Sequence, residues 1–186
     1  ENLVFTQEAS DMHAFKSTLH PFIRNSVASM DFGPVFLNKK LSRDQKGGSI
    51  RKTTEAFELA TGVLYFSPIQ HFGLTPNNLE EQPDFVLDFL KEVPTVWDEI
   101  VYVGGEPGDY AAIARRKGDK WYIAITNGEQ KDKTLELNLP MLKNTELTLI
   151  YDAKDRSAAT KTVKIKKNGT FNIDVLGEGG ALLISK

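Results

Sequence analysis

The sequence predicts an α+β chain in two parts, helices first and an antiparallel β-sandwich after. Three observations predict it. Apolar residues recur at helical spacing around Phe57–Leu64 and Phe85–Leu90. From Tyr110 onward apolar and polar residues alternate with period two, in six or more short runs. Turn signals rich in Gly and Asn separate those runs at sandwich spacing.

In the first part, Phe22-Ile23 and Met30-Asp31-Phe32 read as a strand or its end, closed by Gly33-Pro34. Residues 38–49 are polar, contain Gly47-Gly48 and read as a loop. Thr53 or Thr54 can cap the next helix, and Glu55 suits the positive end of its dipole. Phe57, Ala60, Val63 and Leu64 give that helix a broad apolar face, which Pro68 should kink or interrupt. Leu74–Asn78 reads as a loop, and Asp84–Glu92 as a second helix stopped by Pro94.

In the second part, Tyr110–Arg116 and Trp121–Thr126 flank a hairpin turn at Lys117-Gly118-Asp119-Lys120. Gly104-Gly105-Glu106-Pro107-Gly108 reads as a turn, since no Lys-Ser/Thr pair or helix follows to make a phosphate cradle. Leu135, Leu137 and Leu139 alternate with polar residues, and Leu147–Tyr151 is a further strand. Val163 and Ile165 alternate with lysines. Asn168-Gly169 supplies the positive φ of a tight hairpin turn before Phe171, Ile173 and Val175. Ala181–Ile184 is the final strand.

Composition narrows the function classes. With 40% hydrophobic and 26% charged residues, the 186-residue chain is globular, forming one ordinary domain or two small ones. A net charge of −2 gives no reason to expect nucleic acid or an anionic membrane as partner. The absence of cysteine excludes a disulfide framework, a thiolate nucleophile and a Cys-ligated zinc. No apolar run approaches the roughly 18–20 residues of a membrane span. Glu1-Asn2-Leu3-Val4 lacks the basic stretch of a secretory signal. The first part carries more aromatic groups than one strand and two helices can bury, which suggests further chain upstream.

Three ordered stretches carry a resemblance. HPFIRNSVASMDFGPVF (His20–Phe36) resembles LPFTRxxxGxMDYTP, with Ala28 or Ser29 where the pattern has Gly and Gly33 where it has Thr. TEAFELATGVLYFSPIQHFGLTP (Thr54–Pro76) resembles a helix ending in ESPLQ and a D/TP loop. DFLKEVPTVWDEIVYVGGEPGDYAAIARRKGDKWYIAITNG (Asp88–Gly128) resembles FLKxVPTTWDET, GxPGxY and ARRKGDxWYIAGING. These are patterns of glycoside hydrolase family 97, bacterial α-glucosidases and α-galactosidases. The resemblance implies that residues 1–95 are the last strand and following helices of a (β/α)8 barrel, and residues 96–186 the C-terminal antiparallel β-sandwich.

It also implies that the catalytic carboxylates and the family's calcium ligands lie upstream of Glu1, so the piece alone would be inactive and hold no metal. Its partners would be the upstream barrel, an N-terminal domain and an oligosaccharide, in the periplasm. Asp31 and Arg24 are the candidate substrate-binding residues: Asp31 accepts a sugar hydroxyl at the barrel mouth, or it caps backbone or pairs with Arg24. His71 is either a ligand or a helix-end group bonded to backbone, and three unlinked histidines make no zinc spacing. Trp97-Asp98-Glu99 offers a sugar platform or a seam between the two parts. The alternative to the hydrolase reading is a stand-alone carbohydrate-binding or structural β-sandwich module.

Overall fold

A computed structural model describes residues 6–33, 35–40, 44 and 46–186. The period-two region forms eight antiparallel strands: β1 (Glu99–Glu106), β2 (Tyr110–Lys117), β3 (Lys120–Asn127), β4 (Lys133–Asn138), β5 (Glu146–Asp152), β6 (Ala158–Lys164), β7 (Thr170–Val175) and β8 (Gly180–Ser185). Six form one sheet in the order β1-β2-β3-β8-β5-β6, and β4 and β7 pair as a separate ribbon. Leu135 and Leu137 of β4 and Ile173 and Val175 of β7 point inward. Glu136, Asn172 and Asp174 alternate outward. The ribbon thus covers one face of the large sheet, over Ile123, Ile125, Leu147, Leu149 and Leu183.

The other face is covered by helices, so the molecule has three layers rather than two β-sheets of similar size. The helices are α1 (Gln7–Asp11), α2 (His13–Ile23), α3 (Glu55–Leu64), α4 (Asn78–Glu81) and α5 (Asp84–Glu92). Ala56 through Leu64 of α3 are all buried. A helix covered all round needs a layer on each side. Here the sheet lies on one side, and the segments containing Met30, Val35, Leu37 and Phe72 join the same core. Thr54 caps α3, its Oγ1 accepting from Phe57 N at 3.1 Å, while Thr53 turns instead to Glu58.

Several sequence expectations are corrected. Phe22-Ile23 are helical, in α2, despite Pro21 within that helix. Proline lacks the N–H that would bond the Ser17 carbonyl, and the Tyr65 hydroxyl donates to that carbonyl instead, at 2.9 Å. Pro68 neither kinks nor interrupts α3, which ends before it at Leu64. Asn78, read as loop, opens the short α4. Gly104 and Gly105 belong to β1, a strand the sequence did not announce, with a bulge between Tyr102 and Gly104. A Cβ on Gly105, at φ +116, would lie 2.1 Å from the Tyr110 carbonyl oxygen, so the bulge excludes other residues.

The Asn168-Gly169 turn forms, with Gly169 at φ +89. It joins β6 to β7, which pair with different partners, so it passes the chain between sheets and closes no hairpin. The loop reading for 38–49 falls partly on residues 41–43 and 45, and the Gly33-Pro34 break on residue 34, all outside the described residues. Lys40 and Ile50 form an antiparallel bridge across that loop.

Candidate functional site

Sequence reasoning chose the neighbourhood of Asp31, and the backbone around it is held by one side chain. The Asn25 amide donates to the Phe66 carbonyl at 3.1 Å and accepts from Phe66 N at 2.9 Å. Met30 N donates to the same carbonyl at 3.0 Å. Two residues on, Phe32 forms a parallel bridge with Gln70. The connection between these two short extended segments runs through α3. Tyr65 packs edge-on against Phe32, ring centroids 4.4 Å apart.

Asp31 is exposed beside this pair. Arg24 caps the C-terminus of α2, its N–H bonding the His20 carbonyl, and its side chain is exposed. His71 is exposed and follows the Gln70 bridge; it does not sit at a helix end. His13 and His20 lie on α2, His13 against Glu58 and His20 edge-on to Tyr65 at 5.7 Å.

The sequence reading overlooked Glu58. Its side chain is 2% exposed, in the first turn of α3. Oε1 faces His13 Nε2 at 3.3 Å and accepts from the Thr53 hydroxyl, and Oε2 accepts from Phe36 N at 3.1 Å. Burial pushes its pKa up, but His13, Arg51 and the Thr53 hydrogen bond together hold it below the usual carboxylate value. Arg51 in turn donates to the carbonyls of Leu37, at 3.0 Å, and Asn38, at 3.2 Å. Buried Val35, at φ 71, sits in a region rare for a β-branched residue, next to the Phe36 N–H that Glu58 holds. The signal for Glu58 was present: an acid inside the apolar run FELATGVL.

A second amide cluster fixes the next turn. The Asn38 side chain donates to Thr75 Oγ1 at 2.8 Å and accepts from Asn77 and Asn78 at 3.0 and 2.8 Å. These networks attach residues 35–40 and 51–53 to α3 and α4, so the segment following Asp31 is well anchored.

Asp152 sits at the N-terminal end of α3, beside Thr54 and Ala56, its Oδ2 accepting from Gly180 N at 2.8 Å. Burial raises its pKa to about 6, against hydrogen bonds that lower it. The folded state therefore holds a proton that the unfolded chain has released between about pH 4 and 6. Stability falls as pH rises through that window, by about 3 kcal/mol. Glu58 acts oppositely and below it, its contribution being lost as pH falls under the ordinary carboxylate value. We expect a urea-unfolding midpoint that peaks near pH 4. In Asp152→Asn the decline between about pH 4 and 6 should disappear; an unchanged decline would assign it elsewhere.

Trp97 packs edge-on against Tyr122, centroids 5.3 Å apart, and joins the core between helices and sheet, as a seam does. Asp98 accepts from Gly118 N and Lys117, which hold its pKa below the usual carboxylate value. Among the described residues no three His, Asp or Glu side chains stand close enough to hold a metal. No helix among the described residues is long and apolar enough to cross a membrane.

Residues 96–185 match the family model described as glycosyl-hydrolase 97 C-terminal, oligomerisation. The chain is 30% identical over 177 residues to a retaining alpha-galactosidase of Bacteroides thetaiotaomicron, covering 88% of this chain and 26% of that protein. It thus spans about a quarter of the length of that relative. A crystal structure of a beta-arabinopyranosidase superposes with a TM-score of 0.94 at 44% identity, over 98% of this chain and 29% of the other. A family 97 enzyme from Pseudoalteromonas sp. strain K8, in complex with acarbose, superposes with a TM-score of 0.77 at 22% identity. The overlap covers 97% of this chain and 30% of that enzyme, and at this identity it speaks for the fold alone. Sequence motifs, the matched domain and the identity to the alpha-galactosidase agree: the chain belongs to glycoside hydrolase family 97 and corresponds to the C-terminal portion of its members.

Proposed function

We propose that this chain is the C-terminal part of a retaining glycoside hydrolase that cleaves galactose-configured glycosides. Its residues 1–95 complete a (β/α)8 barrel and residues 96–186 brace it. The observation that carries the barrel reading is the parallel Phe32–Gln70 bridge with α3 crossing between its segments. All the named strands pair antiparallel, so a strand–helix–strand unit in the first part is out of place unless more parallel strands flank it. Beside the unit, Ile23, Val27 and Ile69 are 57%, 86% and 68% exposed, an apolar margin suited to cover by preceding chain.

The substrate class follows from the relatives. An α-D-galactoside and a β-L-arabinopyranoside share ring configuration and differ by the exocyclic hydroxymethyl group. Both fit a chain 44% identical to a beta-arabinopyranosidase and 30% identical to an alpha-galactosidase. A retaining mechanism needs two carboxyl groups about 5 Å apart, and in this reading the pair lies on the upstream barrel strands. In this reading Asp31, one residue before the bridged Phe32, accepts a sugar hydroxyl at the barrel mouth. Periplasmic export and calcium binding by upstream glutamates belong to the same reading.

The test is turnover of nitrophenyl α-galactoside and nitrophenyl β-L-arabinopyranoside by the full-length gene product and by residues 1–186 alone. We expect turnover only by the full-length protein. In it, Asp31→Asn should lower kcat/KM about 30-fold, a loss of roughly 2 kcal/mol of hydrogen bonding to a charged acceptor, with Tm unchanged. Turnover by residues 1–186 would overturn the fragment reading, and a neutral Asp31→Asn would overturn the role of Asp31.

A further inference from the structure

Arg115 lies in β2, between the sheet and the helices, and its side chain is among the largest that are fully buried. Alternation puts it on the same face as Ala111 and Ile113. Its Nη2 donates to the Leu64 carbonyl at the end of α3, at 3.0 Å. Its Nε and Nη1 have no partner, and neither has the buried Trp97 Nε1. The guanidinium carbon is 5.9 Å from the centroid of the Trp97 ring and 5.8 Å from that of Phe66. Burial alone shifts Arg115, to about 10, and no carboxylate offsets it, so the group stays charged at neutral pH.

A buried cation without a counter-ion costs several kcal/mol, and the negative end of α3 with two aromatic faces offsets only part of that. The three orphan groups are all donors. A water placed among them would accept hydrogen bonds but bring two protons of its own, which none of the three can take. The orphan atoms are also sealed from solvent, which excludes a protruding ligand.

We propose that Arg115 and Trp97 hold a small inorganic anion, chloride-sized, which ties β2 to the end of α3 and to the Trp97 seam. The claim is independent of the hydrolase reading, because it concerns residues 1–186 alone. Crystals of this chain grown in bromide should show an anomalous peak within hydrogen-bond distance of Arg115 Nη1 and Trp97 Nε1. Replacing gluconate by chloride at constant ionic strength should raise Tm along a saturating curve. Arg115→Met should abolish that saturation. Trp97→Phe, which keeps the ring and drops one donor, should raise the half-saturating chloride about tenfold. If Arg115→Met does not fold, the bromide map and Trp97→Phe decide the question. No anomalous peak, a water in its place, or a chloride response unchanged in both variants would overturn the proposal.

Discussion

Glu58→Ala should destabilise the protein by about 3 kcal/mol, the cost of taking a shared acceptor away from buried donors. The carboxylate holds three different pieces of chain at once. It meets His13 of α2, the Thr53 hydroxyl before α3 and the Phe36 N–H after the Asp31 segment. Removing it leaves the Thr53 hydroxyl and the Phe36 N–H without the acceptor it provides, and takes a favourable negative charge from the neighbourhood of Arg51. Val35, with its positive φ, then loses the bond next to it that helps hold that conformation. Glu58→Gln, which retains one acceptor oxygen, should cost roughly half as much. Urea unfolding followed by tryptophan fluorescence measures both. A loss below about 1 kcal/mol for the alanine variant would show the network to be dispensable. Glu58→Ala should also lose the acid limb below pH 4.5, since the group whose protonation produces it is gone.

Gly180→Ala should lower Tm by about 10 °C, for a loss of about 3 kcal/mol from overpacking. A Cβ at this position would stand 2.5 Å from Phe57 Cα and 2.8 Å from Phe57 N, and 2.9 Å from the Ile125 carbonyl oxygen. All three are backbone atoms, of α3 and β3, so no side chain can swing aside. The added methyl must push helix and sheet apart across the core they share. Gly47→Ala is the matched control: nothing lies within 4 Å of its Cβ, and Tm should stay within about 1 °C. Equal Tm values for the two variants would mean that α3 rides loosely on the sheet.

Much of the sheet is legible in the sequence because a half-buried strand repeats every two residues, and Gly118 turns β2 into β3 where positive φ is required. β1 escaped because Gly104 and Gly105 look like chain breakers when Tyr110, whose hydroxyl crowds the first and whose carbonyl crowds the second, is not in view. Helix α2 escaped for a related reason. Pro21 argues against a helix unless the Tyr65 hydroxyl, distant in sequence, supplies the missing donor. The overlooked polar residues differ. Parity with Ala111 and Ile113 points Arg115 inward, and Glu58 interrupts an apolar helix, so both were visible as anomalies. What their anomalies serve depends on His13, Thr53, Leu64 and Trp97, whose nearness only the fold creates. Asp31 and Arg24 rest on motif resemblance, and no periodicity singles them out.

The position of β8 has a consequence for biosynthesis. It comes after every other strand in chain order, yet lies in the middle of the large sheet, between β3 and β5. A ribosome delivers both halves of that sheet before the strand that joins them, and α3 waits without its floor at Gly180 until then. This architecture closes only after translation has passed residue 185, so a nascent chain stalled earlier exposes two unsatisfied strand edges to chaperones and proteases.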